Sequence, residues 1–438
     1  MKKVLALLLS CILLLAMMPA AFAEPAPVVL EYRRAELNPL TGTVAASRGW
    51  EECWELLDAE GNVLVPESEG YISMDPQDAF FLVEKESEDA ILPCKGLLSG
   101  QGEVILPARY HDVDVLSDRW QVGVMLSPTD EDNWSYAFFT DQGELYYTAA
   151  ACDFYFDGEF VGTLDAESCT SIGEAYGAYV CVYTANGASF YNSKLELSPV
   201  ETSVANEYDW DYLGGRQVYF HQGSGQMAFT PGCTLDPADV SCRYMAIDNV
   251  LYGLHGEELA VLPESYDSVG NFVDNYAMVR VGDKYGLINE KGEEVLAPEY
   301  DDIGKYEEHP LRCGYISVEK DGLFGIADAQ GNLTCDFRYP AEEVDNYGSF
   351  AILASEDGVT VLSAAVGELP EHYDWVFFPV TDGCLAFVAS RADGSMGIVN
   401  LQGETILPFS SEYYDLQVTV DGSLALAELD EGYVILHL

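Results

Sequence analysis

Tyr285-Gly286-Leu287-Ile288-Asn289-Glu290-Lys291-Gly292, continued by Val295-Leu296-Ala297-Pro298 and Tyr300-Asp301, is the stretch from which the rest of the chain is read. It runs aromatic, Gly, a short apolar run, Asn, two residues, Gly, a second apolar run ending in Pro, then Tyr and an acid. Variants of it return along the chain. Aligned on the second glycine, Gly256, Gly292, Gly331, Gly367 and Gly403 lie 36, 39, 36 and 36 residues apart, and Gly61, Gly102 and Gly143 lie 41 and 41 apart. A period of that size means one small supersecondary unit per copy, each stacked on the next.

Within the unit, Ala277 to Val281 predicts a strand, Gly282-Asp283-Lys284 a turn, and Tyr285 to Asn289 a second strand. In Asp58-Ala59-Glu60-Gly61, Asn289-Glu290-Lys291-Gly292, Asp328-Ala329-Gln330-Gly331 and Asn400-Leu401-Gln402-Gly403, the Asp or Asn can accept backbone amides while Gly takes positive φ. That is the chemistry of a hairpin turn. A third strand follows in Val63-Leu64-Val65-Pro66, Val104-Ile105-Leu106-Pro107, Val261-Leu262-Pro263, Val295 to Pro298 and Ile406-Leu407-Pro408. Proline cannot donate to a ladder and is expected to end it, with Tyr71, Tyr110, Tyr266, Tyr300 or Tyr413 starting a short fourth element. No part of the mature chain shows a long 3.6-residue apolar period. The expected fold is all-β, a repeat of three- to four-stranded antiparallel meanders, propeller-like or an open β superhelix. Gly61, Gly102, Gly143, Gly253, Gly286, Gly292, Gly325, Gly331, Gly397 and Gly403 are its structural glycines.

These residues resemble the WG-repeat (KWG-repeat) family of bacterial secreted and surface proteins. Lys284-Tyr285-Gly286-Leu287-Ile288-Asn289 matches the family unit, whereas its Trp is replaced by Tyr252, Tyr285, Phe324 or Met396, and Gly358-Val359 has lost both aromatic and Gly. The resemblance is good from about 250 to the end, fair from 50 to 144 and poor from 145 to 249. It implies an interaction scaffold and carries over no catalytic residue.

Lys2-Lys3, the apolar run Val4 to Met18 and Ala21-Phe22-Ala23 form a secretory signal peptide over 1–23, with a mature start at Glu24. A retained anchor and a lipoprotein at Cys11 are the alternatives. The remainder divides into N-terminal β repeats (24–144), divergent β repeats (145–249) and C-terminal WG-like β repeats (250–438). The last copy stops after Tyr433 to Leu438, before a third strand. An N-terminal strand at Val28-Val29-Leu30-Glu31-Tyr32 could complete it. Nine or ten units leave one ring, two smaller rings and an open spiral in play.

The formal net charge is −54. Such a chain is repelled by phosphate backbones and anionic lipid, so neither nucleic acid nor membrane insertion after cleavage is expected. Solubility of a long β protein accounts for the charge; attraction to a cation or a basic partner is the sharper reading. Asp130-Glu131-Asp132-Asn133 and Asp209-Trp210-Asp211 do not match a calcium loop, and no metal or other cofactor is expected. After Cys11 is cleaved, Cys53, Cys94, Cys152, Cys169, Cys181, Cys233, Cys242, Cys313, Cys335 and Cys384 remain, an even set that permits disulfides, with Cys233 and Cys242 close in sequence.

No enzyme motif stands out. The six histidines are scattered, Asp393-Gly394-Ser395-Met396-Gly397 lacks the first Gly of a nucleophile elbow, and His221-Gln222-Gly223-Ser224-Gly225 reads as a turn. The recurrent pairs Tyr266-Asp267, Tyr300-Asp301, Tyr373-Asp374 and Tyr414-Asp415 are candidate ligand-binding residues if the rings face solvent together. Otherwise Tyr packs between sheets and Asp caps a turn, and burial separates the two. The sequence thus points to an exported scaffold that binds protein or glycan without catalysis. The alternative is a carbohydrate-active enzyme or calcium-dependent glycan binder using acidic and Tyr residues.

Overall fold

The computed structural model describes residues 27–50, 53–87, 93–128, 136–140, 143–165, 168–169, 171–176, 179–184, 187–197, 200–201, 209–213, 216–221, 226–229, 244–247, 249–253, 258–270, 272, 275–304, 314–347, 349–355, 358–379, 383–430 and 432–438. The signal segment, Asp130 to Asn133, Gln222 to Gly225, Gly256, Cys233, Cys242 and Cys313 lie outside them. The described chain is all-β, with eleven antiparallel sheets and two single-turn helices, Glu67–Glu69 and Ala341–Glu343.

The quoted stretch builds one sheet from Ser268–Val269, Tyr276–Val281, Lys284–Asn289 and Glu294–Tyr300, in that order. Its second hairpin closes as the sequence predicts. Asn289 Oδ1 accepts the N–H groups of Lys291 at 2.9 Å and Glu293 at 3.0 Å, its carbonyl accepts the Gly292 N–H at 2.9 Å, and Gly292 has φ +75°. Asp58, Asp328 and Asn400 repeat this geometry, and Gly61, Gly331 and Gly403 take the same left-handed turn, as does Gly102. Gly143 instead opens the strand Gly143–Phe156, and Gly253 ends Val250–Gly253.

Gly286 is glycine for a different reason. Tyr285 pairs with Tyr300 and Leu287 with Leu296, so two steps on one strand face four on the other. The resulting bulge at Ala297-Pro298-Glu299 presses backbone onto Gly286, where a Cβ would lie 2.7 Å from the Leu296 oxygen and 2.8 Å from the Pro298 nitrogen. Gly325 and Gly397 stand opposite similar bulges.

The bulge also corrects two expectations. Glu294–Tyr300, Val104–Tyr110 and Thr405–Ser410 run through their prolines, although Val63–Val65 does stop before Pro66. A proline on the last strand of a sheet, in a bulge, leaves no ladder bond unmade. The short element after Tyr is also not a fourth strand of the same meander: Asp302–Ile303 pairs with Tyr315–Lys320 and so begins the next sheet.

Two compact units divide the chain: residues 1–93, 97–104 and 343–438, and residues 94–96 and 105–342. In the first, sheets 34–65 and 375–410 each pack against the sheet that ends the chain, burying Leu37, Val44, Leu57, Val388, Leu424, Leu426 and Ile435, and sheet 344–368 packs against sheet 375–410 through Phe350 and Phe387. That last sheet, Asp415–Val418, Leu424–Leu429 and Gly432–His437, is completed by Val28–Leu30, with Val28 opposite Ile435 and Leu30 opposite Tyr433. The N-terminal strand therefore fills the place the sequence left open. In the second unit, sheet 268–300 buries Leu251, Phe272 and Ile288 with sheet 244–261, and Leu287, Leu296 and Ile316 with sheet 302–340. Each side of one short sheet thus feeds a different core.

Candidate functional site

The Tyr-Asp pairs divide by burial. Tyr266, Tyr300 and Tyr373 are buried, each in the core between its sheet and the next. Tyr266 donates its hydroxyl to Glu294 Oε1 at 2.8 Å, and burial followed by that carboxylate pushes the phenol up. Burial pushes Tyr373 up to about 12, with the Glu371 carboxylate adding to it. Rings enclosed in this way offer a ligand no stacking face, which corrects their candidacy. The acids serve turns. Asp267 Oδ2 accepts the Gly282 N–H at 2.6 Å, and Asp301 Oδ2 accepts the Asp321 N–H at 2.6 Å. Asp301 also pairs with Lys284 of the preceding sheet, and that hydrogen bond is the main reason its carboxyl sits below the ordinary range. Asp374 donates its backbone N–H to the Ser390 carbonyl.

Tyr414-Asp415 is out of step with the others by one residue. The Tyr414 N–H donates to Glu428 O just as those of Asp267, Asp301 and Asp374 donate to Arg280, Glu319 and Ser390. Tyr413 therefore occupies the core position and Tyr414 the place of the acid, where its ring is 61% exposed and its hydroxyl bonds Asp430 across the hairpin turn. Asp415 falls one place further on, where Ser268, Asp302 and Trp375 stand in the other sheets.

A second polar cluster lies in the unit containing residues 105–342. Asp153 is buried, accepts the Tyr110 hydroxyl at 2.8 Å and Thr163 Oγ1 at 2.6 Å, and pairs with Arg109 at 2.8 Å, while the Tyr110 and Tyr155 hydroxyls meet at 2.8 Å. Each group there bonds another, and the cluster ties the strand Val104–Tyr110 to the neighbouring sheet that carries Asp153, Tyr155 and Thr163, with the Arg109 side chain reaching solvent.

The open site is a cleft of about 480 Å³ in the first unit. Its walls are the outermost strands Arg34–Leu37, Trp375–Phe377 and Asp415–Val418, with Pro39 and Pro379 just past the ends of two of them and Pro76 contributed by the strand Tyr71–Gln77. Trp375 and Phe377, two apart on one strand and so on the same face, present rings 39% and 50% exposed. Glu36 and Asp415 bring carboxylates. Gln417 spans the cleft: its Oε1 accepts the Leu37 N–H at 2.7 Å and its Nε2 donates to Asp415 Oδ2 at 3.1 Å. Desolvation, then the neighbouring Asp75 carboxylate, pushes the Glu36 carboxyl above the usual range, with Arg34 acting against them. Arg34 is held elsewhere, donating to Ser47 Oγ and the Gly49 carbonyl and lying 4.7 Å over the Trp54 ring. A neighbouring hollow of about 450 Å³ is lined by turn residues such as Thr41, Gly42 and Asp421, and Asp421 already accepts from Thr419 and Ser423.

Among the described residues no group of three or more His, Cys, Asp or Glu is placed to hold a metal ion, and no helix is long and apolar enough to cross a membrane. Of the cleft residues, sequence reasoning named only Asp415. Trp375 carried a usable signal, an aromatic where other copies hold Ser268, Asp302 or Asp415; Glu36 carried none.

Residues 261–285 and 285–324 match the family model of the WG containing repeat. No curated protein matches the chain in sequence. Solved structures similar to it include a crystal structure of the eukaryotic initiation factor (11% identity, 90% of each chain covered, TM-score 0.33). BamB from Moraxella catarrhalis (14% identity, 72% of this chain and 96% of that one, TM-score 0.27) and the WD40 domain of SCAP from fission yeast (12% identity, 94% and 93%, TM-score 0.25) are also similar. These likenesses are too distant to carry an argument about the site.

Proposed function

We propose that this chain, which carries WG repeats at 261–324, is an exported scaffold that binds a partner through the cleft between Arg34–Leu37, Trp375–Phe377 and Asp415–Val418. The observation that carries the reading is the contrast between the repeat's recurring polar residues and the cleft. Three of the Tyr-Asp tyrosines are buried and the turn acids are bonded to backbone, whereas Trp375 and Phe377 stand exposed beside carboxylates. Aromatic rings with polar groups beside them make a recognition surface for a peptide or a sugar. No reaction is assigned, and the charge of −54 disfavours nucleic acid and anionic lipid as partners.

Export is supported by the charged, apolar and small-residue parts of residues 1–23, and a surface or extracellular location goes with it. A carbohydrate-active reading draws on the same cleft, since Glu36 and Asp415 could flank a sugar bond. Peptide and glycan arrays probed with the exported chain test the reading. Signals lost on Trp375→Ala/Phe377→Ala support it; identical arrays for wild type and variant overturn it. Release of reducing ends from an array glycan would replace the scaffold by the enzyme.

A further inference from the structure

Resting on the reading of this cleft as a binding site, we propose that its occupant is a cationic side chain, an arginine or lysine presented on an extended segment of a partner protein. The cleft carries Glu36 and Asp415, with Asp75 close to Glu36, and none of its lining residues is Lys, Arg or His. Its aromatic faces also carry no cation of the chain itself, although the protein seats arginines on rings elsewhere. Arg34 lies over Trp54 at 4.7 Å, Arg48 over Tyr32 at 5.0 Å, Arg119 over Phe156 at 4.3 Å and Arg391 over Phe409 at 3.7 Å. Among the described residues no such partner sits over Trp375 or Phe377. A guanidinium entering from outside would meet two ring faces and two carboxylates, where the protein's own Arg48 is held by one ring, Tyr32, and one carboxylate, Glu55. The walls are outermost strands, which suits an extended segment, and a field set by a net charge of −54 draws a basic one in.

The test uses the exported chain at 0.15 M salt with three probes: a capped nonapeptide bearing arginine at every third position, its citrulline counterpart, and cellohexaose. Binding is read by tryptophan fluorescence and calorimetry. The arginine peptide should bind about tenfold more tightly than the citrulline one. Trp375→Ala/Phe377→Ala, which alters no charge, should weaken it about tenfold, as should Glu36→Gln/Asp415→Asn. Asp283→Asn, at a fully exposed acid of another sheet, should not. Equal binding of the citrulline peptide overturns the proposal, and so does arginine-peptide binding that survives the aromatic double variant, since that is attraction to net charge alone. Cellohexaose binding lost in the aromatic variant, with no arginine preference, keeps the cleft and rejects the cation. No probe responding to the cleft variants rejects both.

A separate observation concerns two buried thiols. Cys152 and Cys169 are each 2% exposed, and their sulfurs lie 3.8 Å apart. The Cys169 hydrogen bond and burial push the Cys152 thiol up, and the same contact favours the thiolate at Cys169. We infer that these two form a disulfide when the chain folds in an oxidising compartment, rotating to the bond length of about 2.0 Å. The Cys169 thiolate attacks a sulfur of a disulfide oxidant, releasing one oxidant thiol; the Cys152 thiolate then displaces the second, so the oxidant gains two electrons and two protons. Refolding from urea with oxidised glutathione, alkylation in denaturant and peptide mass mapping should give the 152–169 cross-linked peptide. A Cys152→Ser/Cys169→Ser variant should melt several degrees lower than the oxidised protein. Both thiols found alkylated after oxidative refolding, or cross-links to other cysteines instead, would overturn the inference.

Discussion

Three glycines of neighbouring sheets separate the forces that fix the repeat. At Gly282, φ is +62° and a Cβ would meet nothing within 4 Å, so Gly282→Ala adds only left-handed backbone strain, about 1–2 kcal/mol. At Gly286 a Cβ would stand 2.7 Å from the Leu296 oxygen and 2.8 Å from the Pro298 nitrogen, and neither backbone atom can turn away. Gly286→Ala therefore forces the bulge off its partner strand and costs about 2–3 kcal/mol. Gly331 combines both: its φ is +81° and a Cβ would lie 2.1 Å from Val295 O of the preceding sheet. Gly331→Ala should lose about 4 kcal/mol or more, a large part of an ordinary domain's stability. Urea unfolding followed by intrinsic fluorescence and near-ultraviolet dichroism gives the midpoints, with unchanged slopes required for the comparison. If Gly286→Ala proves no worse than Gly282→Ala, the bulge is not what excludes a side chain there. If Gly331→Ala is the mildest of the three, the account of sheets leaning on each other's turn glycines fails.

Leu30→Ala removes the buried side chain of the strand that completes the last sheet and should cost about 2–4 kcal/mol, with amide exchange accelerating first in Gly432–His437; uniform exchange across the unit would contradict this. Asp153→Ala strips the acceptor from the Tyr110 hydroxyl and Thr163 and should lose about 2–4 kcal/mol by urea midpoint, whereas a loss within the noise would show the cluster to be dispensable. Stability against pH should pass through a maximum on the acid side of neutrality. Glu36 and Asp114 are raised, mainly by desolvation, so the folded state gains as pH falls towards their raised values, and the repulsion among 74 acids eases as well. The turn carboxylates Asp58 and Asp328 are lowered, so their contribution, present above the unfolded value of about 4, disappears as pH falls through the lower folded values. Midpoints that fall steadily from pH 7 to 5 would contradict the first half of this profile.

The turns were legible because their causes are local. Asn289 and Gly292 sit three apart, and the bonds from Lys291 and Glu293 need nothing beyond that segment. The incomplete last copy likewise announced a missing strand, and Val28–Leu30 supplies it. The division between sheets was not legible. Tyr300 ends one sheet and Asp302 begins the next with a single residue between them, and a proline marks no boundary when a bulge absorbs it. The one-residue offset at Tyr413-Tyr414 was hidden for a similar reason: two adjacent tyrosines fit the motif in either frame, and the pairing of Asp415 with Glu428 decides between them.

The cleft was illegible because its walls come from positions 36, 375 and 415, which only the fold brings together. That has a consequence for how a repeat of this kind acquires a specific partner. Residues that recur in each copy answer to needs that recur in each copy: Asp301 must hold the Asp321 amide and the Lys284 ammonium, and Tyr300 must fill the core between two sheets. Such positions are not free to take up a ligand without loosening the stack. The outward position on the first strand varies from sheet to sheet, carrying Ser268, Asp302, Trp375 and Asp415 in four of them. Specificity can therefore be written there, one sheet at a time, at little cost to the fold. It follows that exchanging Trp375 for the Ser or Asp of its counterparts should leave the unfolding midpoint nearly unmoved while removing recognition, whereas the same exchange at Tyr373, two residues away and 2% exposed, should unfold the unit before binding can be measured.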